Sequence, residues 1–500
     1  MVDVKEITIA QAHDGFKSGA FTAEDLAKAF LERIATLDKA GPKINSTMAM
    51  STTAIEEAAA LDAYFKETGK FKGTLHGIPI LVKDQADTKG IETNYGSAAT
   101  KGNIPDADAT VVRKLKEAGA VVLGKTTMAE WASTWFSANG ATGYEFTKNP
   151  YKLEHDVSGS SGGSGAALAA SFCVLAVGED TGGSIRVPSS FCNLVGIRAT
   201  PGLISRTGFC PLIKVQDTPG PMARTVTDCA LMLDAMVGFD PTDDFTGFAV
   251  TAAALGLPRG GSYASALETG PEKIKKAKIG VVRQRFGPDS DPACKAVNTV
   301  VKAAMDKLQA EGTTFVDVHI DNLDYYLQYC QTYLIRSRHD INEFLATKPH
   351  LPQDIADIVP ENPVKPDFKL TAAMAHGPKD PTEDPTLVKR LLARDELKRK
   401  VDCLIAELGL DALALPDVQV PPPPQSDADS GRFGPGGLPV NTFLASNTRL
   451  PAVTVPAGFT EDGLPVGLEF VGLEYQEQHL LELARGVEVL VAARKAPPNL

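Results

Sequence analysis

The sequence predicts an α/β protein, and the main reason is a strand–helix rhythm that occurs twice. Residues 108–126, "DATVVRKLKEAGAVVLGKT", combine a helical pattern, a glycine and an apolar strand, which is typical of α/β units. The rhythm returns in a strand at 278–282, a helix near 291–311 and a strand at 313–318. We see no internal repeat and no linker that clearly separates domains among the 500 residues, a length that a large α/β unit can absorb.

The N-terminal third predicts three further features. An amphipathic helix is expected over 22–37, with Thr22 as a candidate N-cap. Its apolar stripe consists of Leu26, Phe30, Ile34 and Leu37. "GIPILVKD" at 77–84 is typical of a short buried strand with a proline in it. Residues 164–176 are rich in alanine, and a run of serine and glycine leads into them.

The C-terminal part contains five more elements around one low-complexity stretch. They are a charged helix at 386–408, strands at 411–416, 451–459 and 464–472, and a helix at 477–494. Residues 417–440, "DVQVPPPPQSDADSGRFGPGGLPV", separate the first strand from the second. We interpret them as an extended, proline-stiffened surface loop, with a lid beside a pocket as the alternative.

Composition and charge exclude several classes of protein. The 43% hydrophobic content suits a substantial core, and the net charge of −12 argues against a nucleic-acid partner. Seven scattered cysteines without a C-x-x-C pair predict neither disulfides nor a zinc site, and we expect no metal or other cofactor. The most apolar run, 165–178, is too short to span a bilayer, and the N-terminus has no secretion pattern. We expect a soluble, cytoplasmic protein with no membrane partner.

The run of serine and glycine at 158–165 allows several interpretations. Such runs usually form flexible linkers, but this one enters an apolar segment in mid-chain. A phosphate-binding loop is disfavoured because neither G-x-x-x-x-G-K-[ST] nor G-x-G-x-x-G is present. A nucleophile elbow centred on Ser161 matches G-x-S-x-G formally. The residues before it, "NPYKLEHDV", are polar where that motif needs an apolar strand.

A third interpretation combines this run with two other segments. Downstream, Thr181-Gly182-Gly183-Ser184 forms a second glycine-rich stretch, whose backbone N–H groups could converge as an oxyanion hole. Upstream, Lys83 lies in an otherwise apolar segment. A lysine there either reaches the surface or, if buried, has a lowered pKa and can act as a base. Serine–lysine arrangements are known variants of serine catalysis.

These segments together resemble the amidase signature family. "GSSGGSGAALAA…GEDTGGSIRVPSSFCNLVGIRATPG" is similar to its signature and "LHGIPILVKD" to its lysine segment, and the similarity extends over about 6–494. The resemblance implies one domain over 1–500, a mixed twisted β-sheet covered by helices. It places the signature core at about 75–225 and a variable substrate region at about 320–440.

The resemblance also implies the catalytic residues. The family's Ser–cis-Ser–Lys triad falls on Ser184 as nucleophile, Ser160 as bridging serine in a cis peptide, and Lys83 as base. The supporting set consists of the oxyanion-hole residues Thr181, Gly182 and Gly183, and of Ser161, Asp180 and Arg186. In one departure, Ser158 stands where the family usually has the outermost glycine.

The expected chemistry is amide hydrolysis through an acyl-enzyme. Neutral Lys83 takes a proton through Ser160 from Ser184, which attacks the carbonyl carbon, and the leaving amine later receives that proton. A lysine must lose roughly 3 pKa units to be neutral near pH 7, so we expect an alkaline activity optimum.

Substrate choice is less defined by the sequence. The segment 323–346 carries tyrosines at helical spacing and lies in the variable region; it is expected to be core or a pocket wall, and so is "WASTWF" at 131–136. We expect His76, His155 and His339 to be structural or surface residues.

Three functions compete at this level. The first is a stand-alone amidase for small or medium amides, esters and carbamates being further candidates. The second is the glutaminase (A) component of a tRNA-dependent amidotransferase, although residues 320–440 do not resemble that component. The third, an inactive binding protein on the same fold, is disfavoured because all triad positions are filled. The acyl group, the amine and the oligomeric state, a homodimer included, stay open.

Overall fold

A wide mixed β-sheet organises the protein. The computed structural model describes residues 2–137, 139–143, 145–361, 369–430, 432–433 and 437–500. Within these residues eleven strands form the main sheet and two form a separate hairpin. The strands are β1 (Thr47–Met50), β2 (Pro79–Lys83), β3 (Val121–Thr126), β4 (Lys148–Asn149), β5 (Lys152–Asp156), β6 (Leu175–Asp180), β7 (Val195–Arg198), β8 (Thr218–Ala223), β9 (Lys278–Val282), β10 (Thr314–Val318), β11 (Ala412–Pro416), β12 (Ala452–Phe459) and β13 (Pro465–Val471).

Helices flank this sheet along its whole length, and their apolar sides supply most of the core that the strands bury. The helices are α1 (Ile9–Ser18), α2 (Ala23–Leu37), α3 (Ala54–Thr68), α4 (Thr110–Glu117), α5 (Gly162–Ala169), α6 (Arg186–Phe191), α7 (Val226–Met236), α8 (Gly247–Ala254), α9 (Gly270–Lys276), α10 (Pro292–Ala310), α11 (Leu323–Tyr329), α12 (Tyr333–Ala346), α13 (Lys369–Ala375), α14 (Leu387–Leu408), α15 (Ser426–Ser430), α16 (Phe443–Thr448) and α17 (Glu477–Val491).

The order of the strands places β2 near the centre of one half of the sheet. Across the sheet the order is β1-β3-β2-β6-β8-β7-β12-β13-β11-β9-β10. The neighbours β3-β2-β6 are parallel, as are β11-β9-β10 at the other end. The remaining pairs of the main sheet are antiparallel. The predicted class, a large α/β domain with a mixed sheet covered by helices, is therefore confirmed.

Most predicted elements coincide with observed ones. The helix expected over 22–37 is α2, whose N-cap Thr22 accepts a hydrogen bond from the Asp25 N–H at 3.1 Å. The strand expected at 77–84 is β2, and the segment 108–126 contains α4 and β3. The C-terminal expectations correspond to β9, α10, β10, α14, β11, β12, β13 and α17. Hydrophobic periodicity was sufficient to locate them.

The run of serine and glycine differs from a linker. Residues 158–161 form a buried loop, and Gly162, Gly163 and Gly165 already belong to α5. A Cβ on Gly163 would lie 2.4 Å from the Thr127 carbonyl oxygen. The missing side chain therefore lets this helix pack directly against neighbouring backbone.

The expected surface loop at 417–440 is in large part buried. Val418, Val420, Pro422 and Pro423 are buried, and Val418 forms a bridge with Val440. The prediction of a surface loop was wrong for these residues, and the reason for the two valines is that they pack in a small cluster with Phe136 and Phe191. Residues 431 and 434–436, where a lid would have its tip, lie outside the described part.

Six of the seven cysteines are buried, and only Cys403 on α14 is exposed. All seven are free thiols, as their scattered positions predicted. In the part of the chain that the structure describes, no helix is long and apolar enough to cross a membrane.

Candidate active site

Lys83 is completely buried at the end of β2. Its Nζ lies 2.7 Å from the Ser160 Oγ. It also lies 3.2 Å from the carbonyl oxygen of Glu179 and 3.4 Å from the Oε2 of the same residue. The lysine therefore does not reach the surface, and it contacts the serine loop directly.

The topology of the sheet explains this meeting. The parallel strands β2 and β6 are neighbours, with Val82 opposite Val177. The carboxyl ends of parallel strands lie at the same edge of a sheet, where α/β proteins commonly bind ligands. Lys83 is the last residue of β2, and Glu179 and Asp180 are the last two of β6. These ionisable side chains consequently share one edge.

The loop before α5 brings Ser160 to the lysine. The peptide bond between Gly159 and Ser160 is cis, as the family resemblance implies. Ser158 has a φ of 64°, a left-handed conformation that glycine adopts more readily. The Ser158 hydroxyl donates to the Trp135 carbonyl at 2.8 Å, and its N–H donates to an Asp156 carboxylate oxygen at 2.5 Å. These two bonds hold the loop although a serine replaces the usual glycine.

Ser161 connects this loop to the end of β6 and to Ser184. Its backbone N–H donates to the Ser184 carbonyl at 3.2 Å. Its hydroxyl donates to the Glu179 carbonyl at 3.2 Å and accepts from the Glu179 N–H at 3.3 Å. Because strand backbone engages this hydroxyl, the geometry disfavours the nucleophile-elbow interpretation of Ser161.

The loop from Thr181 to Ser184 presents free backbone donors. The Gly182 carbonyl accepts a hydrogen bond from the Thr442 hydroxyl at 2.6 Å. The Gly183 carbonyl accepts from an amide of α6 at 2.8 Å, and the Ser184 carbonyl is engaged with Ser161. Among the described residues, no acceptor pairs with the N–H groups of Gly182, Gly183 or Ser184. Unpaired N–H groups in a buried loop can stabilise an oxyanion.

Glycine is required at two positions of this loop. Gly183 has a φ of 136°, and a Cβ there would lie 2.2 Å from the Thr442 Oγ1. A Cβ on Gly182 would lie 2.3 Å from the Tyr333 hydroxyl oxygen. The two glycines therefore permit α12 and α16 to approach the loop closely.

A buried charge network supports the loop from behind. The Arg186 guanidinium donates to both Asp180 carboxylate oxygens, at 3.0 and 2.9 Å, and to the Glu469 carboxylate at 2.7 Å. Arg198 adds a contact of 2.9 Å to Asp180. All four side chains are fully buried. Burial opposes ionisation of Asp180, but the two guanidiniums outweigh it and hold its pKa below the ordinary value.

Burial also determines the proton affinity of the lysine. Desolvation lowers the pKa of Lys83, and the nearby Glu179 carboxylate opposes that effect. Desolvation raises the pKa of Glu179, with Lys83 in opposition. Burial therefore favours the neutral forms of both side chains, whereas their mutual attraction favours the charged forms.

A cavity of about 590 Å³ opens at Ser184. Its wall near the loops is apolar and includes Ala132, Trp135, Leu327, Tyr333 and Phe443. The charged side chains in the wall are Arg285, Asp324, Asp384 and Arg390. The Arg285 and Asp324 side chains pair with each other at 2.8 Å, and Asp324 is 84% exposed. The cavity is thus apolar inside and charged at its rim.

The aromatic segments contribute to both core and cavity. Tyr333 lines the cavity, whereas Tyr326 lies in a core cluster and Tyr325 is 55% exposed. In the segment 131–136, the four residues Ala132 to Trp135 line the cavity while the two end residues are buried in the core. None of the described residues of 417–440 lines it.

The histidines make ordinary structural contacts. His155 Nδ1 lies 2.7 Å from the Pro422 carbonyl oxygen, and His76 Nδ1 accepts from the Lys72 N–H at 3.1 Å. His339 Nδ1 lies 3.0 Å from the carbonyl oxygen of Lys379. These contacts agree with the structural interpretation of all three.

Sequence reasoning missed three residues beside the site: Glu179, Thr442 and Glu469. Glu179 had a usable signal, because consecutive residues of a strand point to opposite faces. If Asp180 points to the face of the sheet where Arg186 lies, Glu179 must point to the opposite face. Thr442 and Glu469 had none, since they lie more than 250 residues away along the chain.

The fold and the buried polar edge together define an enzyme of the amide-hydrolysing class. The chain belongs to the Amidase family, whose model matches residues 25–481. It is 32% identical over 516 residues to the A component of the glutamyl-tRNA(Gln) amidotransferase from Moorella thermoacetica, covering 99% of this chain and 98% of that protein. It is also similar to the native peptide amidase from Stenotrophomonas maltophilia, at 31% identity and a TM-score of 0.84 over 99% of both chains. An amidase family protein from Bacillus anthracis str. Ames gives 29% identity and a TM-score of 0.80, covering 99% of this chain and 93% of that one.

These similarities change one expectation. The sequence suggested that residues 320–440 separate this chain from the amidotransferase component. The similarity to that component covers 99% of the chain at 32% identity, close to the 31% found for the peptide amidase. Overall similarity therefore does not distinguish a stand-alone amidase from the amidotransferase component. Only the residues of the site can distinguish these two functions.

Proposed function

We propose that the protein hydrolyses carboxylic amides as a stand-alone amidase through an acyl-enzyme on Ser184. One observation carries this proposal: the buried Lys83 Nζ lies 2.7 Å from the Ser160 Oγ, beside a loop whose buried N–H groups are free among the described residues. A buried amine next to a hydroxyl is a proton acceptor, and free N–H groups stabilise a developing oxyanion.

The proposed reaction moves one proton back and forth. Neutral Lys83 accepts the Ser160 hydroxyl proton, Ser160 accepts that of Ser184, and the Ser184 Oγ bonds to the carbonyl carbon. The oxyanion is stabilised by the Thr181–Gly183 N–H groups. The C–N bond then breaks as the proton returns through Ser160 to the leaving nitrogen. Water next attacks the acyl carbon while its proton passes through Ser160 to Lys83. The bond between the Ser184 Oγ and the acyl carbon then breaks as that proton returns to the Oγ, and the carboxylic acid is released.

Ser161, Asp180 and Arg186 support this geometry without touching substrate. Asp180 accepts the Ile185 N–H at 3.2 Å as well as the Arg186 guanidinium. It therefore fixes the backbone directly after Ser184. Ser161 fixes the other side through the Ser184 carbonyl. Both contacts limit movement of the nucleophile, which favours a productive attack geometry.

The shape of the cavity favours a bulky apolar acyl group. A cavity of about 590 Å³ accommodates a ligand much larger than a simple aliphatic amide. Aryl amides, fatty amides and C-terminal peptide amides are the classes that fit such walls. We infer that α11 and α12 select among them, because Leu327, Tyr333 and Leu334 line the cavity.

The second candidate is the glutaminase component of an amidotransferase, favoured by the 32% identity over nearly the whole chain. Free glutamine carries an ammonium and a carboxylate close to its amide. The cavity wall as a whole is mainly apolar, which suits such a zwitterion poorly. The cavity therefore supports the stand-alone amidase.

The test is hydrolysis of a panel of aryl, peptide and fatty amides together with L-glutamine. We expect at least one bulky amide to be cleaved without a partner protein, with hydroxylamine trapping the acyl group. Glutamine cleavage alone, or activity only with a second protein, would favour the amidotransferase. Lys83→Ala and Ser160→Ala should each lower kcat/KM by at least about 100-fold.

The matched control is Lys125→Met, since Lys125 is also a fully buried lysine, on the adjacent strand β3. Its ammonium pairs with the Ala86 carbonyl and the Thr88 hydroxyl instead of a serine loop. Activity per folded molecule should persist in that variant. Near wild-type rates in Lys83→Ala at every pH would refute the base assignment.

A further inference from the structure

A second cavity, of about 200 Å³, reaches Glu179 beside the active site and shares no lining residue with the cavity at Ser184, the substrate cavity. Its mouth includes Glu343 and Thr347, which are exposed. Its floor includes the buried carboxyl groups of Glu179 and Asp217. Lys83 does not line this cavity, but Glu179 touches both the cavity and the lysine. Glu179 thus separates the buried base from an opening to solvent.

The Glu179 carboxylate has one cationic neighbour among the described residues, which is Lys83 at 3.4 Å. Its other oxygen lies 3.2 Å from the Thr181 hydroxyl. That hydroxyl lies closer to Asp217, at 2.6 Å, and it can donate only one proton. Thr181 therefore bonds mainly to Asp217. The Gln85 side chain is a further, uncharged hydrogen-bond donor to Glu179, and Lys83 is the cation that stabilises the Glu179 carboxylate.

The neighbouring acids have partners of their own. Asp217 accepts backbone N–H groups of Leu212 and Ile213, at 2.8 and 3.0 Å. Asp180 is neutralised by two guanidiniums. Glu179 differs from the other two acids in two ways taken together. Its carboxylate contacts Lys83, with which it can exchange a proton, and it also lines the second cavity.

We propose that Glu179 is a positioning residue that shares one proton with Lys83 and exchanges it with solvent through the second cavity. The inference rests on the proposed function, because it assumes that Lys83 is the base. In the resting pair, Lys83 is an ammonium and Glu179 a carboxylate. Transfer of one proton from Nζ to Oε2 leaves a neutral amine facing Ser160 and a neutral carboxylic acid facing the cavity. Loss of that proton to cavity water regenerates the carboxylate.

The charge of Glu179 has a defined effect on the pH dependence. A carboxylate beside an ammonium favours the protonated lysine, so Glu179 raises the pH at which the active amine forms. The other charged or titratable groups that face the pair are Asp180, Asp217, Arg198, Cys210 and Tyr333. All of them remain when Glu179 is replaced by glutamine, which keeps the size of the side chain and removes its charge.

The experiment compares wild type, Glu179→Gln and the control Glu343→Gln, whose carboxylate lies at the mouth of the same cavity and is 50% exposed. The kcat/KM profile for a cleaved amide is measured against pH. We expect the acid limb of Glu179→Gln to shift down by at least about one pH unit, which corresponds to about 1.4 kcal/mol. Glu343→Gln should keep the wild-type limb. An unmoved limb in Glu179→Gln overturns the proposal.

A second readout separates this inference from the proposed function. The rate at which a fluorophosphonate labels Ser184 reports activation of the serine without any amide substrate. If labelling shows the limb shift but no amide is cleaved, the proposed function fails and the role of Glu179 stands. If amides are cleaved and neither limb moves, the role of Glu179 fails alone. Should Glu179→Gln not fold, Glu179→Asp moves the charge away by one methylene, and its limb should lie below that of wild type.

Discussion

Two regions differ sharply in how their residues are held: residues 158–191, which carry the proposed catalytic serines (the catalytic edge), and helices α11 and α12, which line the cavity at Ser184 (the substrate wall). From Ser158 to Phe191 every residue is buried, and the hydroxyls of Ser158, Ser160 and Ser161 bond to backbone or to a charged partner. In α11 and α12 the exposure varies, with Tyr325 at 55% and Leu334 at 50%. The wall contributes apolar surface to its cavity, whereas the edge contributes oriented donors and acceptors.

This difference has an energetic consequence. Removing one partner from a buried polar pair leaves the other unsatisfied, at a cost of about 1–3 kcal/mol, and more for charged groups. Removing an apolar side chain from a half-exposed wall loses only part of its buried area. Substitutions at the edge should therefore alter chemistry and folding, and those in the wall should alter substrate preference.

The largest effect is expected for Ser184→Ala. Loss of the nucleophile should lower kcat by at least about 1,000-fold and abolish fluorophosphonate labelling. The matched control is Ser189→Ala on α6, because the Ser189 hydroxyl is buried and has no hydrogen-bond partner among the described residues. Full activity in Ser184→Ala, or an equal loss of activity in Ser189→Ala, would contradict the role of Ser184 as nucleophile.

A smaller effect, on folding, is expected for Arg186→Met. Breaking a buried ion pair on one side typically costs about 3–5 kcal/mol, since the Asp180 and Glu469 carboxylates lose their common cation. Urea unfolding measures the change. Asp324→Asn removes an ion pair of the wall whose acid is 84% exposed, and it should cost less than about 1 kcal/mol. An equal loss of unfolding free energy in both variants would contradict the proposed difference between the two regions.

A selective effect is expected for Leu334→Ala. This half-exposed side chain lines the substrate cavity, and its loss should raise KM for a bulky apolar amide by about fivefold, as removal of part of an apolar contact does. The kcat for a small amide should stay unchanged. Leu392→Ala on α14, 62% exposed and outside the cavity wall, is the control. A loss of kcat for all substrates would show that Leu334 affects the chemical step and not only substrate preference.

The smallest effect is expected for Ser158→Gly. Glycine accommodates the φ of 64° more easily, while the hydrogen bond to the Trp135 carbonyl is lost. The two effects are each about 1 kcal/mol and opposite in sign. Thermal unfolding and kcat should both remain close to wild type. A large loss of activity would show that the serine hydroxyl itself positions the loop.

The sequence was informative where local patterns decide the structure. The 3.6-residue stripe and the threonine cap located α2, and the strand–helix–strand rhythm located β9, α10 and β10. The apolar neighbours of Lys83 left a surface and a buried position open, and the structure shows the buried one. The specific roles of the site residues came from the resemblance and not from periodicity.

Contacts between segments that are distant along the chain could not be predicted from local sequence patterns. The proline-rich residues 417–424 looked solvent-exposed because of their composition, yet Pro422 and Pro423 are buried, and Val418 and Val420 pack with Phe136 and Phe191. Thr442 reaches the Gly182 carbonyl from a distant segment. Such contacts depend on which elements the sheet order brings together, and the sheet order is set by the whole chain.

The burial of the cysteines provides a way to measure the unfolded fraction of the protein. Since Cys403 on α14 is the exposed thiol and the other six are buried, a maleimide dye should attach to one position on the native enzyme. After complete unfolding, all seven thiols become reactive. The number of dyes per chain then counts unfolded molecules directly, on the same samples whose catalytic rates are measured.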